Sequence, residues 1–176
     1  MIWDDKEVEK LVGAFPNRDL MDTMKDSEGY SWGNQGIKWS AHIDSMTEEI
    51  VMRATIPNRS YLSVGFGPNM RGTDMIVWRW KDSEVEVDNL FSTGYSKPPS
   101  DGTKFLKTTI EDSADRMFKT FTTRRALDTG NKNDFVVQPD KQMVMCYAIL
   151  TGSGDFIQHN KQDIFSIMLS SSGTST

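Results

Sequence analysis

The chain has 176 residues, 37% of them hydrophobic and 26% charged, with a formal net charge of −5. That is enough for one domain with a core of its own and short for two. The acidic balance and the absence of a long basic run speak against a nucleic-acid partner, and no apolar run approaches the roughly 18 residues of a membrane span.

The start, "MIWDDKEVEK", is acidic and lacks the apolar centre of a signal peptide, so the chain reads as intracellular or as a trimmed mature form. From there "DDKEVEKLVGAFPNRD" predicts a short amphipathic helix. Val8, Leu11, Val12 and Phe15 follow helical spacing, Asp4 or Asp5 caps the start, and Pro16 stops it. The Gly-, Asp- and Asn-rich piece to about Gly36 reads as irregular, with a helical turn around Leu20 to Met24. Residues 1–35 are therefore expected to form an N-terminal extension.

From Gly36 the texture changes to short runs separated by turns. In "EEIVMRATI", Ile50, Met52, Ala54 and Ile56 alternate with Glu49, Val51, Arg53 and Thr55, the period of a half-buried strand. "PNRS" is a turn, and "MVMCYAIL" is apolar on both faces, as a central strand should be. About nine such runs with turns every 8–12 residues predict an all-β fold, an antiparallel β-sandwich over 36–170. A Ser/Thr-rich tail of linker composition follows at 171–176. No βαβ alternation and no GxGxxG phosphate loop occurs.

The chemistry-bearing residues are few. The single cysteine, Cys146, excludes an intramolecular disulfide, and one Cys with two His falls short of the four ligands of a structural zinc site. Cys146 is expected to be a small buried hydrophobe. His42 falls in a strand run and His159 in a loop between two strands. Carboxylates are numerous but form no motif of fixed geometry, which leaves a hydrolytic enzyme without a site. Most of the 11 methionines suit a core. Met70 does not, because "GFGPNMRG" holds it in a glycine- and proline-rich connection, where a backbone approaches a ligand and a side chain projects. A thioether and an imidazole are the axial pair of electron-transfer haem iron. With no CxxCH motif, such a haem would be non-covalent haem b. Copper(I) is compatible with those ligands by softness, but two spaced residues do not make a copper site.

"GIKWSAHID…EEIVMRATIP…SYLSVGFGPNMRGTDMIVWRW" resembles the opening half of a DOMON domain, the dopamine β-monooxygenase N-terminal module. "DNLFSTGYSKPPSD", "TTRRALDTGNKNDFVV", "MVMCYAIL" and "FIQHNKQDIFSIML" resemble its later segments. The resemblance covers about 36–170 and implies an immunoglobulin-like or jelly-roll-like sandwich with a ligand pocket. In cytochrome-type members a Met in the "NMRGT" turn and a His before the last strand ligate haem, which implies Met70 and His159 as metal ligands here. The haem reading makes Phe66, Trp78, Trp80 and Tyr147 candidate pocket walls, since they fall on nearby strands, with ordinary sandwich core as the other role of each. It also makes Arg71 or Lys161 a partner for a haem propionate. Of Arg124 and Arg125, alternation should turn one inward, where it would need a carboxylate such as Asp128 or Asp134.

The implied function is electron transfer within a larger redox protein or complex, with a partner protein or a fused membrane cytochrome region. The implied location is extracytoplasmic, with which the sequon Asn58-Arg59-Ser60 is consistent. The alternative is a haem-free module that binds a sugar, another small ligand or a protein. Neither reading requires catalysis by the chain itself.

Overall fold

The computed structural model describes residues 30–34, 36–69, 71–94, 100, 105–155 and 157–171. The strands among the described residues are β1 (Tyr30–Asn34), β2 (Ile37–Asp44), β3 (Glu49–Pro57), β4 (Ser60–Gly65), β5 (Thr73–Lys81), β6 (Glu84–Ser92), β7 (Lys107–Asp112), β8 (Phe118–Ala126), β9 (Gln142–Thr151) and β10 (Lys161–Met168). No helix occurs among the described residues. The helix expected near the N-terminus and the turn at Leu20 to Met24 lie outside them.

Two five-stranded antiparallel sheets face each other. Sheet A runs β1-β2-β3-β8-β7, and sheet B runs β10-β9-β4-β5-β6. The alternation read in β3 holds for the inward set, while in the outward set Glu49 and Val51 are buried as well. Ile50, Met52, Ala54 and Ile56 point inward and are fully buried, while Arg53 is exposed. They meet Leu62, Ile76, Trp78, Met145 and Ile149 from sheet B in one core. The expectation of a chiefly irregular segment up to Gly36 is corrected by β1, which pairs with β2 from Tyr30↔Ala41 to Asn34↔Ile37. Five residues with one internal glycine, Gly33, give too short a run for alternation to stand out.

The outer edge strand of sheet A, β7, carries Lys107, Glu111 and Asp112 and is exposed along most of its length. Charges of that kind discourage edge-to-edge pairing with another chain. The outer face of sheet A is polar, with an ionic chain running Lys107–Glu49–Arg124–Asp44 at 2.8, 3.2 and 2.9 Å.

Candidate functional site

The orientation of sheet B follows from contacts between the sheets. Trp78 Nε1–H donates to Thr123 Oγ1 on β8 at 2.9 Å, and Asp74 pairs with Arg125 on β8, so even-numbered β5 residues face inward. By register, the outer face of sheet B then carries Tyr61, Ser63 and Gly65 on β4, Met75, Val77 and Arg79 on β5, and Cys146, Ala148 and Leu150 on β9. Ser63 Oγ and Met75 Sδ, 3.6 Å apart, confirm that these side chains share a face.

The outer face of a sandwich sheet is ordinarily solvated and polar. Here Tyr61, Met75, Val77, Leu90 and Leu150 form a second buried apolar cluster, separate from the core. On β4 and β9 the face is lined by the small residues Ser63, Gly65, Ala148 and Cys146, beside Val77 and Met75 on β5. At Gly65 the neighbours come so close that a Cβ would lie 2.9 Å from both Cys146 Sγ and Thr73 Cγ2. Cys146 is thus a half-buried residue of the outer face rather than a core residue, and burial of its sulfur pushes the thiol up to about 11.

Two connections turn onto this face from opposite ends. The first, 66–72, follows Gly65. Its feet are joined by Phe66 N–H donating to Asp74 O at 2.8 Å. The outward-facing Thr73 hydroxyl donates to Asn69 O, which brings the connection over the outer side. Asn69 Oδ1 accepts from Arg71 N at 2.8 Å, and Gly72, with φ of 65°, donates its N–H to Ser92 O at 2.7 Å. The left-handed backbone at position 72 favours glycine. Met70 itself lies outside the described residues.

The second connection, 152–160, leaves β9 at the Ser60 end of the sheet. Tyr61 OH donates to Ile157 O at 2.8 Å, Lys81 Nζ meets Asp155 Oδ1 at 2.6 Å, and Arg79 Nη1 donates to Gly154 O at 3.4 Å. Gly154, with φ of 72°, packs so closely on Arg59 and Lys81 that a Cβ would lie 2.9 Å from each. Asn160 N–H returns the chain to the sheet by donating to Ile149 O at 3.0 Å. His159, just before it, is half-buried and has no hydrogen-bond or ion-pair partner among the described residues. From the Tyr61↔Leu150 level to the Gly65↔Cys146 level is four residues, about 13 Å of strand.

The aromatic residues offered as walls take the other role open to them, that of sandwich core. Trp78, Trp80 and Tyr147 belong to the core between the sheets, on the opposite side of sheet B from the small-residue floor. Tyr147 packs on Phe165 with ring centroids 6.2 Å apart, and Trp80 Nε1–H donates to Asp82 O at 2.8 Å. Phe66 is also a core residue, but it stands at the foot of the first connection, stacked on Phe135 at 5.5 Å. Arg71 is exposed, Lys161 is partly exposed at the start of β10, and His42 is half-buried on the outer face of sheet A.

Alternation does send Arg125 inward and Arg124 outward. The inward partner is Asp74, however, at 2.7 Å, and not Asp128 or Asp134. Asp134 instead accepts from Asn89, Thr129 and Asn131, and Asp128 accepts from Gly130 N. The outer-face cluster and Asp74 were missed from the sequence. A signal for the cluster exists in "SYLSVG" and "TDMIVW", where apolar residues fall on both parities.

The chain is thus an all-β module, an antiparallel sandwich with two structured connections leaning over a buried outer face of sheet B. The sequence model of the DOMON domain family matches residues 33–150, and the chain belongs to that family. Its fold is shared with the cytochrome b domain of pyranose dehydrogenase from Coprinopsis cinerea, at a TM-score of 0.63 and 13% identity, covering 84% of this chain and 87% of that one. It is shared also with the cytochrome domain of Myriococcum thermophilum cellobiose dehydrogenase, at a TM-score of 0.57 and 14% identity, covering 88% and 91%. No curated protein sequence matches the chain.

Proposed function

We propose that the chain is a b-type haem-binding electron-transfer module, with Met70 and His159 as the two iron ligands. The observation that carries the reading is the pair of connections bearing these residues, which turn from opposite ends onto one outer face of sheet B. DOMON family membership supports it, as do two fold neighbours that are cytochrome domains.

The residues present fit such a group in three respects. The floor carries small side chains on β4 and β9, namely Ser63, Gly65, Ala148 and Cys146. The apolar cluster of Tyr61, Met75, Val77, Leu90 and Leu150 lies on the same face and supplies a low-polarity surround. The donor set is one imidazole without a described partner and one thioether, a neutral pair that favours the ferrous state. When bound, the group supplies one-electron chemistry.

The chain's own part is to hold the ligands and exclude water. Tyr61, Arg79 and Lys81 fix the His159 connection, while Thr73, Ser92 and Gly72 fix the other. Arg71, exposed beside Met70 in sequence, is the cation suited to a propionate. The module would serve a larger extracytoplasmic redox protein or complex, exchanging electrons with a partner protein or a fused membrane cytochrome region.

The test is the absorption spectrum of purified protein incubated with haemin, before and after dithionite. A sharp Soret band with split α and β bands on reduction, lost in both Met70→Ala and His159→Ala, is the expected result. A broad spectrum like free haemin, insensitive to both substitutions, would overturn the reading in favour of a haem-free ligand-binding module.

A further inference from the structure

Beneath the 66–72 connection the core contains a charged pair that ordinary sandwich packing does not call for. Arg125 is fully buried and Asp74 is 4% exposed. Taking two charges out of water costs several kcal/mol per ion, and well-packed apolar residues often serve stability as well. A pair kept at that cost invites a search for something it positions, and its contacts name the object.

Asp74 Oδ2 accepts from Arg125 Nη1 at 2.7 Å and from the backbone N–H of Phe135 at 2.8 Å. Arg125 Nη2 donates to Phe135 O at 3.2 Å. The same guanidinium lies 4.5 Å over the Phe66 ring, which also stacks on the Phe135 ring at 5.5 Å and 10° between planes. Phe66 and Asp74 are the two feet of the connection, already joined by Phe66 N–H to Asp74 O. Both feet are therefore gripped by one cation and one aromatic residue from the 125–135 segment. Asn89 and Asp134 extend the buried polar cluster on the side of β6, at 3.1 Å from each other.

We infer that Asp74, Arg125, Phe66 and Phe135 form a positioning device that fixes the 66–72 connection against the core. Its effect on an iron ligand at Met70 rests on the haem reading above; the mechanical claim does not. The pair acts through the backbone of the connection. Asp74 projects inward while the floor for the ligand is on the outer face, so none of the four residues needs to touch the bound group.

The experiment is hydrogen exchange of the apoprotein in Asp74→Asn, read at the Phe66 and Gly72 amides and, as a reference, at Leu62 and Met145 in the centre of the sheet. Asparagine keeps the shape but removes the charge that holds Arg125. The expected result is a rise of about tenfold or more at Phe66 and Gly72, with the reference amides changed several-fold less. An equal rise at all four sites would mean that the pair supports the whole fold only, and no rise at Phe66 and Gly72 would mean that it holds nothing; either overturns the inference. If Asp74→Asn does not fold, Phe135→Leu, which removes the stack and keeps the ion pair, is judged by the same criteria. In the haem-loaded protein the same variants are expected to shift the midpoint potential and lower the fraction of low-spin iron. A wild-type protein that binds no haem would remove the haem reading while leaving the exchange result to decide the positioning device.

Discussion

Gly65 offers a direct test of how tightly the floor of the site is built. Its backbone is not left-handed, so Gly65→Ala introduces no φ strain, and fewer unfolded conformations alone would stabilise the protein by about 0.4–1 kcal/mol. The new methyl, however, would sit 2.9 Å from Cys146 Sγ and 2.9 Å from Thr73 Cγ2, where ordinary contact begins at 3.4 Å. Neither neighbour swings away easily. Cys146 lies in register opposite Gly65 on β9, and the Thr73 hydroxyl is tied to Asn69 O. Overpacking of this kind costs about 1–3 kcal/mol, which exceeds the entropic gain and leaves Gly65→Ala destabilised by about 1–2 kcal/mol. In a Cys146→Ala/Thr73→Ser background both colliding atoms are gone, and the hydroxyl that holds Asn69 is kept. There the same substitution should cost at least about 1 kcal/mol less, a coupling energy expected of touching residues. Urea unfolding at constant m-value measures all four proteins. A cost independent of background, or a stabilised single variant, would refute the packing described for this face.

The remaining predictions concern charge and hydrogen bonding. Glu49 is held below the usual carboxylate range, first by Lys107 and also by Arg124, and Asp44 is held low first by Arg124. Depressed acids contribute stability above their unfolded values of about 3.8 to 4.5 and lose it as pH falls through the folded ones. The urea midpoint should therefore decline below about pH 4.5, and less steeply in Lys107→Met; an identical acid limb in the variant would contradict the ionic chain. Burial pushes the Tyr61 phenol up to about 12, so stability from this residue is present below its unfolded value of about 10 and is lost as pH rises from there toward 12. Tyr61→Phe should cost about 1 kcal/mol at neutral pH through the lost bond to Ile157 O. It should also remove one late-ionising phenol from the ultraviolet titration, and a titration unchanged at its alkaline end would refute the assignment.

Strand positions were legible because one buried face imposes a period of two, as in Ile50, Met52, Ala54 and Ile56. The period does not say which neighbouring sheet a parity faces. Trp78 and Tyr147 could therefore be read as pocket walls or as sandwich core, and the Trp78–Thr123 bond places that parity inside. Nor does it say what a buried charge will meet. The sequence argued that an inward arginine needs a carboxylate, which is correct for Arg125. Proximity in sequence then favoured Asp128 and Asp134, whereas Asp74 is 51 residues away on the opposite sheet. Position 70, outside the described residues, stands out in the sequence for a different reason. Glycine and proline mark a connection whatever the topology, and a methionine there lacks the usual reason for being one.

The two connections are held by different physics, and that has a consequence. The 66–72 connection is gripped from within the core by side chains at 0% and 4% exposure. The 152–160 connection depends in part on Lys81 and Asp155, whose side chains are 31% and 50% exposed, and on Arg79 at the rim. Salt screens exposed charges over a few ångströms at about 1 M and buried ones far less. Raising ionic strength should loosen the 152–160 connection and leave the feet of the 66–72 connection unchanged. Hydrogen exchange makes the comparison within one molecule, with the Ile157 amide, which donates to Asp155 O, on one side and the Phe66 and Gly72 amides on the other. Faster exchange at Ile157 alone is the expected pattern. Equal acceleration on both sides would mean that the Asp74–Arg125 pair is more open to solvent than its burial implies. No change at Ile157 would mean that Tyr61 and the close packing of Gly154 suffice without the ion pair.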